Sequence, residues 1–227
     1  MAVMVMGELQ ARVEAQYAQL GLPSWPDPHG SLRSPEPEEY SRISDPGRYR
    51  IVQARARVWA AVLGDAQLAR VEAVDPGLAT PAAGRPFDRG TRLVPHRSGS
   101  LALLLLERDV PLDSGQGPLA VLDLAVVRPD VVLTSEPDCG CDACDSGSAA
   151  LLEAVDATVQ RVVGGPFVAG RGPDWSAEWF PDGGRSGGSG TGPDHDAVMA
   201  LCRRLAAGAT TELPPHAAAF VGRAWFD

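Results

Sequence analysis

Three thiols fall within six residues in the run Asp138-Cys139-Gly140-Cys141-Asp142-Ala143-Cys144-Asp145. A C-x-C-x-x-C spacing in a glycine-containing turn lets the sulfurs of Cys139, Cys141 and Cys144 converge on a tetrahedral ion about 2.3 Å away. Gly140 is read as relieving backbone strain in that turn. The donor set points to Zn²⁺, with a fourth ligand from elsewhere: Cys202, His195, His96, or a flanking Asp138, Asp142 or Asp145. The carboxylates around the thiols, with Glu136 close by, disfavour a bare thiolate and suit a bound cation. Two other readings use the same cysteines. Cys141-Asp142-Ala143-Cys144 is a C-x-x-C ahead of a helix, which suits thiol–disulfide exchange or metal transfer, although its acidic flanks oppose activation and no βαβ pattern precedes it. The plainest alternative is a turn of small residues in which the cysteines fill space.

Other residues offer less. Gly184-Arg185-Ser186-Gly187-Gly188 matches G-x-S-x-G, with Asp194, His195 and His216 as possible partners, but a nucleophile elbow needs a strand directly before the serine and a helix directly after it. Asp123 lies between Leu122 and Leu124 in a predicted strand; a hydrolase could use it or Ser186, yet alternation favours a solvent-facing carboxylate. Cys202 falls on an apolar helix stripe and reads as a small buried hydrophobe before a ligand. His29, His96 and His216 sit in loops and receive no role of their own. Trp175 and Trp179 share a strand face that reads as core and not as a binding platform.

The composition excludes several chemistries. All 20 basic residues are Arg, and the chain has neither Lys nor Asn. Without Lys there is no Walker-type phosphate loop, no kinase-type nucleotide lysine and no Schiff base. A net charge of −9 and a pI near 4.9 argue against nucleic acid or an anionic membrane as partner, leaving a protein or a small molecule. Arg48, Arg50, Arg55 and Arg57 read as a solvated helix face. The apolar start Met1–Met6 is too short for a secretory signal, and no run reaches the ~18 apolar residues of a membrane helix. Four cysteines without an export signal lead to the expectation of a reducing cytoplasm.

These residues must be held by elements that the periodicity predicts. Val5, Leu9, Val13 and Tyr17 mark a first helix. The proline-rich stretch 21–46 reads as an irregular wrapping segment, either packed through Trp25 and Tyr40 or mobile. A second helix opens at Ser44-Asp45-Pro46, carries Tyr49, Val52, Ala56, Trp59 and Leu63 on one stripe, and ends at Gly64. Val71–Val74, Arg92–Val94, Leu101–Glu107, Leu119–Val127 and Val131–Thr134 read as strands joined by turns, among them Asp113-Ser114-Gly115-Gln116-Gly117 and Arg128-Pro129-Asp130. There is no room between them for helical crossovers, so the sheet is an antiparallel meander. A helix capped at Ser146 or Ser148 follows the cysteines and ends at Gly164-Gly165-Pro166. Phe167–Ala169 and Trp175–Phe180 form a strand pair, 183–192 a flexible Gly/Ser connector, and Asp194 caps a last helix. After Pro214-Pro215, Phe220, Val221 and Trp225 dock back. The sum is a single α+β domain over 1–227, with a meander of about five to seven strands and helices mainly on one face.

The run Pro137-Asp138-Cys139-Gly140-Cys141-Asp142-Ala143-Cys144-Asp145-Ser146-Gly147, then Val162-Val163-Gly164-Gly165 and Phe167-Val168, resembles an uncharacterised actinobacterial family of unknown function. The resemblance covers most of the chain and is weakest over residues 1–45 and the Gly/Ser stretch. It implies a bacterial cytosolic protein of one domain and no particular activity. The bottom-up expectation is therefore a non-enzymatic binding or interaction protein with a structural Zn site.

Overall fold

A computed structural model describes residues 6–30, 33–76, 85–113, 115, 117–189 and 192–226. Val5 of the first predicted stripe, Ser114 and Gln116 of the predicted hairpin turn, and Gly190-Thr191 of the Gly/Ser stretch lie outside the described residues.

The meander is there. β1 (Ala69–Val74), β2 (Arg89–Pro95), β3 (Leu103–Val110), β4 (Leu119–Val126) and β5 (Val132–Glu136) pair in sequence order, every pair antiparallel. Register follows the side-chain alternation of a pleated strand. Leu103, Leu105 and Glu107 stand opposite Val126, Leu124 and Leu122, so the leucines of both strands reach one face. There they meet Val52, Ala56, Trp59 and Leu63 of α2 (Arg50–Asp65) and Val155, Val159 and Val162 of α3 (Gly147–Gly164) in the main core. α1 (Met6–Ala18) packs on α2 through Leu9 and Val13. Leu104, Leu106 and Ala125 turn to the other face and are closed in with Phe87. β4 is thus buried along its whole length.

A second antiparallel sheet holds the rest. Its order is β8 (Gly183–Gly188), β7 (Trp175–Phe180), β6 (Phe167–Arg171), β9 (Ala218–Gly222). β6 serves two cores: Phe167 and Ala169 join the main one, while Val168 turns to α4 (His195–Ala206) with Ala177, Val198, Met199 and Cys202. Asp194 caps α4 as predicted, its side chain accepting from the Ala197 N–H at 2.9 Å. The returning C-terminus docks as β9, and the Trp225 N–H donates to the Val163 carbonyl at 2.8 Å. Arg171 and Arg185 tie this sheet to the first by donating to the Val132 and Leu133 carbonyls of β5, at 2.5 and 2.9 Å.

Two expectations are corrected here. The Gly/Ser stretch is not a loose connector over 183–188, where it forms strand β8 on β7. Its glycines permit close approach: a Cβ on Gly184 would collide with Met199, and one on Gly188 would lie 2.5 Å from the Asp174 carbonyl oxygen. The basic residues of α2 are not all solvated either. Arg55 is 1% exposed and forms a two-bond fork to Asp156 of α3, Nε to Oδ1 at 2.8 Å and Nη2 to Oδ2 at 2.6 Å, while also pairing with Glu14 of α1. Trp59 Nε1 donates to the same Asp156 at 2.6 Å. One buried carboxylate therefore holds three helices in register.

Candidate metal centre

β5 ends at Glu136, and the chain passes through Pro137 into the cysteine loop before α3 begins at Gly147. Gly140 has no left-handed backbone; it is small because a Cβ there would lie 2.6 Å from Leu119 Cδ2. Close packing on the sheet, and not backbone strain, is what this glycine serves. Cys141 opens a 3-10 turn over Asp142–Cys144, closed by the Cys144 N–H on the Cys141 carbonyl at 3.0 Å.

That turn gathers the three sulfurs. Cys139, Cys141 and Cys144 offer donor atoms all within 4.8 Å of one another, with Cys139 Sγ and Cys141 Sγ 3.2 Å apart. Three sulfurs at 2.3 Å from one tetrahedral ion would be spaced by about 3.8 Å, which lies within that limit. Cys141 is buried; Cys139 and Cys144 are exposed. Burial would push the Cys141 thiol up, but hydrogen bonds from the other two thiols and from the Cys144 and Ala143 N–H groups hold it below its ordinary range. The same hydrogen bonding pushes Cys144 up to about 12. The cluster's own hydrogen bonds thus favour the thiolate at Cys141 over Cys144, and a thiolate is the form that takes a metal.

The loop is clamped from outside by the proline-rich segment, which wraps the surface as one of the two expectations had it. The Asp142 carboxylate accepts from Arg42 Nε at 2.6 Å, from Ser44 Oγ at 2.6 Å and from the Ser44 N–H at 2.9 Å, while the Asp142 N–H donates to the Arg42 carbonyl at 2.7 Å. Burial would raise the Asp142 carboxyl; the Arg42 and Ser44 hydrogen bonds and the Arg42 charge hold it below the usual range. Asp145 accepts from Trp25 Nε1 at 3.0 and 3.1 Å and from Arg48 Nη2 at 2.7 Å. The Arg48 guanidinium lies over the Trp25 ring, 4.9 Å from its centroid. Gly147, with φ of +83°, lets the Pro26–Asp27 backbone cross at a point where a Cβ would be 2.6 Å from the Asp27 nitrogen. Trp25 anchors the segment as predicted, whereas Tyr40 is exposed.

This geometry revises the electrostatic argument. Asp142 and Asp145 are not uncompensated charge awaiting a cation, because Arg42 and Arg48 already pair with them. The case for a metal rests on the sulfurs themselves.

A family model described as a family of unknown function, DUF6226, matches residues 13–227. The chain belongs to that family. No curated protein and no solved structure matches it.

None of the fourth ligands considered for this DUF6226 chain joins the three sulfurs. Cys202 is 1% exposed in the core beneath α4, as its apolar stripe predicts, and burial pushes its thiol up. His195 sits at the start of α4, its Nδ1 2.9 Å from Ser186 Oγ. His96 follows β2 at the end of the sheet opposite the cysteine loop, as the strand registers require. Asp138 Oδ1 accepts the Cys139 N–H at 2.7 Å.

Asp123 does not face solvent. It is 2% exposed, on the sheet face away from the helices, with Arg108 Nε donating at 2.9 Å and Ser135 Oγ at 2.5 Å. Ser186 does meet His195, but on an edge strand, and among the described residues no carboxylate hydrogen-bonds that histidine. Trp175 and Trp179 pack against the α4 core, as expected. His29, given no role by sequence, holds its Nε2 2.9 Å from the Asp142 carbonyl oxygen, inside the cysteine turn. Its partner lies 113 positions away, so no local pattern marks it.

Proposed function

We propose that Cys139, Cys141 and Cys144 bind a zinc ion, and that this ion fixes the turn on which segment 24–48 docks, in a non-enzymatic binding or interaction protein. The observation that carries this reading is the convergence of three sulfurs in a loop already fastened to the wrapping segment through Asp142 and Asp145. An all-sulfur donor set suits Zn²⁺ over the hard cations, which take oxygen ligands. Bound, the ion would supply cross-linking of the loop and no chemistry of its own. Four thiols free of disulfides fit a reducing cytoplasm, and no helix among the described residues is long and apolar enough to cross a membrane.

Thermal unfolding of zinc-loaded protein, with and without a strong chelator, tests the proposal. Chelation lowers the midpoint in the wild type and has no further effect in Cys141→Ser. A midpoint indifferent to chelator in both would overturn it.

One observation favours a second reading. The 3.2 Å approach of Cys139 Sγ to Cys141 Sγ suits a thiol–disulfide pair as well as a shared ion. An alkylation titration separates the two: a redox thiol reacts fast at neutral pH irrespective of added zinc, whereas metal ligands are protected by zinc.

A further inference from the structure

A cavity of about 120 Å³ lies directly beside the cysteine loop, and both exposed thiols, Cys139 and Cys144, line it. Glu136, Asp138 and Asp145 stand on its acidic side, and Tyr49, Ala150, Leu151 and Ala154 are among the residues that complete the wall. Cys141, the buried member of the triad, is not part of the lining. The cavity therefore adjoins the triad through Cys139 and Cys144.

Of the nearby carboxylates, two are held by arginines and two accept one hydrogen bond each. Asp142 is held by Arg42 and Ser44, and Asp145 by Arg48 and Trp25. Glu136 accepts from Thr134 Oγ1 at 2.8 Å, and Asp138 accepts the Cys139 N–H. Among the described residues no fourth His, Cys, Asp or Glu donor joins the three sulfurs. A three-sulfur ion with an open fourth position is the arrangement that admits an outside ligand.

We infer that the fourth ligand is exogenous: a small neutral donor molecule, such as an imidazole or an amine, enters this cavity and binds the ion held by Cys139, Cys141 and Cys144. Size and charge define the class. A cavity of about 120 Å³ admits water or a small molecule and not a macromolecule. Three thiolates around a divalent cation leave a net negative centre, and Glu136 and Asp138 add to it, so anions are excluded. The inference rests on the zinc reading above and names the ligand of that site.

Cobalt(II)-loaded protein tests it, with imidazole and azide as probes. The sulfur-to-cobalt charge-transfer band reports that the three thiolates hold the ion; the ligand-field bands report the fourth position. Imidazole shifts the ligand-field bands saturably, while azide binds at least tenfold more weakly. Filling the cavity with Ala154→Phe weakens imidazole at least tenfold and leaves the charge-transfer band in place; should that variant fail to fold, Ala150→Val gives the same reading. Ligand-field bands indifferent to imidazole overturn the inference. So does a spectrum that changes in Glu136→Gln or Asp138→Asn before any probe is added, since a protein carboxylate then holds the position. Absence of any charge-transfer band overturns the metal reading and this inference with it, whereas a strong band with no imidazole response overturns this inference alone.

Discussion

Asp156 and Glu14 both bind Arg55, yet their burial separates their worth. Asp156 is nearly out of solvent, and its loss strips a buried guanidinium of its Nε acceptor and leaves the Trp59 indole without its acceptor. Asp156→Ala is expected to cost about 3–5 kcal/mol in urea denaturation, the range for breaking a buried ion pair. Glu14, with 59% of its side chain exposed, is expected to cost below about 1 kcal/mol when replaced by Ala. Cys202→Ala gives a different contrast: stability falls by about 1 kcal/mol from the lost sulfur volume, while the metal-to-protein ratio is unchanged. Metal binding also competes with protons, because the thiols must lose theirs to ligate. The increment that zinc adds to the melting midpoint therefore shrinks as pH falls below neutrality and grows as it rises; an increment that grows on acidification would contradict the assignment. At this scale the sequence was legible where residue type alone decides, as for the three cysteines. It was not legible for Asp123 or Arg55, whose alternation and charge read as solvent-facing because their partners lie on other elements.

Element by element, the periodicity located the helices and all five strands of the meander, because apolar spacing is set by which face is buried. β8 escaped for a physical reason. Glycine carries no side chain from which to read alternation, and a run of it in a strand and in a linker look alike. The pairing shows instead in what the absent Cβ atoms would strike. Hydrogen exchange checks this ordering: the amides of β4, buried on both faces and paired on both edges, exchange slowest of all strands, and those of β8, an edge strand with mostly exposed residues, exchange fastest.

For the whole molecule, the cysteine loop is a junction. The first sheet feeds it, α3 leaves it, and the segment from Trp25 to Arg48 is fastened over it through Asp142 and Asp145. Those contacts span about a hundred positions of sequence, which is why a proline-rich stretch could be recognised as a wrap while its target could not. A metal that rigidifies the loop also secures the wrap. Since every basic residue of the chain is Arg, trypsin reports this cleanly. Chelation is expected to expose cleavage after Arg33 and Arg42 before the core is cut, and zinc to suppress it. Native mass spectrometry of protein expressed with zinc tests the central claim most directly. It is predicted to show one zinc ion per chain in the wild type and in Cys202→Ala, and none in Cys141→Ser; a metal-free wild type, or zinc retained in Cys141→Ser, would contradict the account.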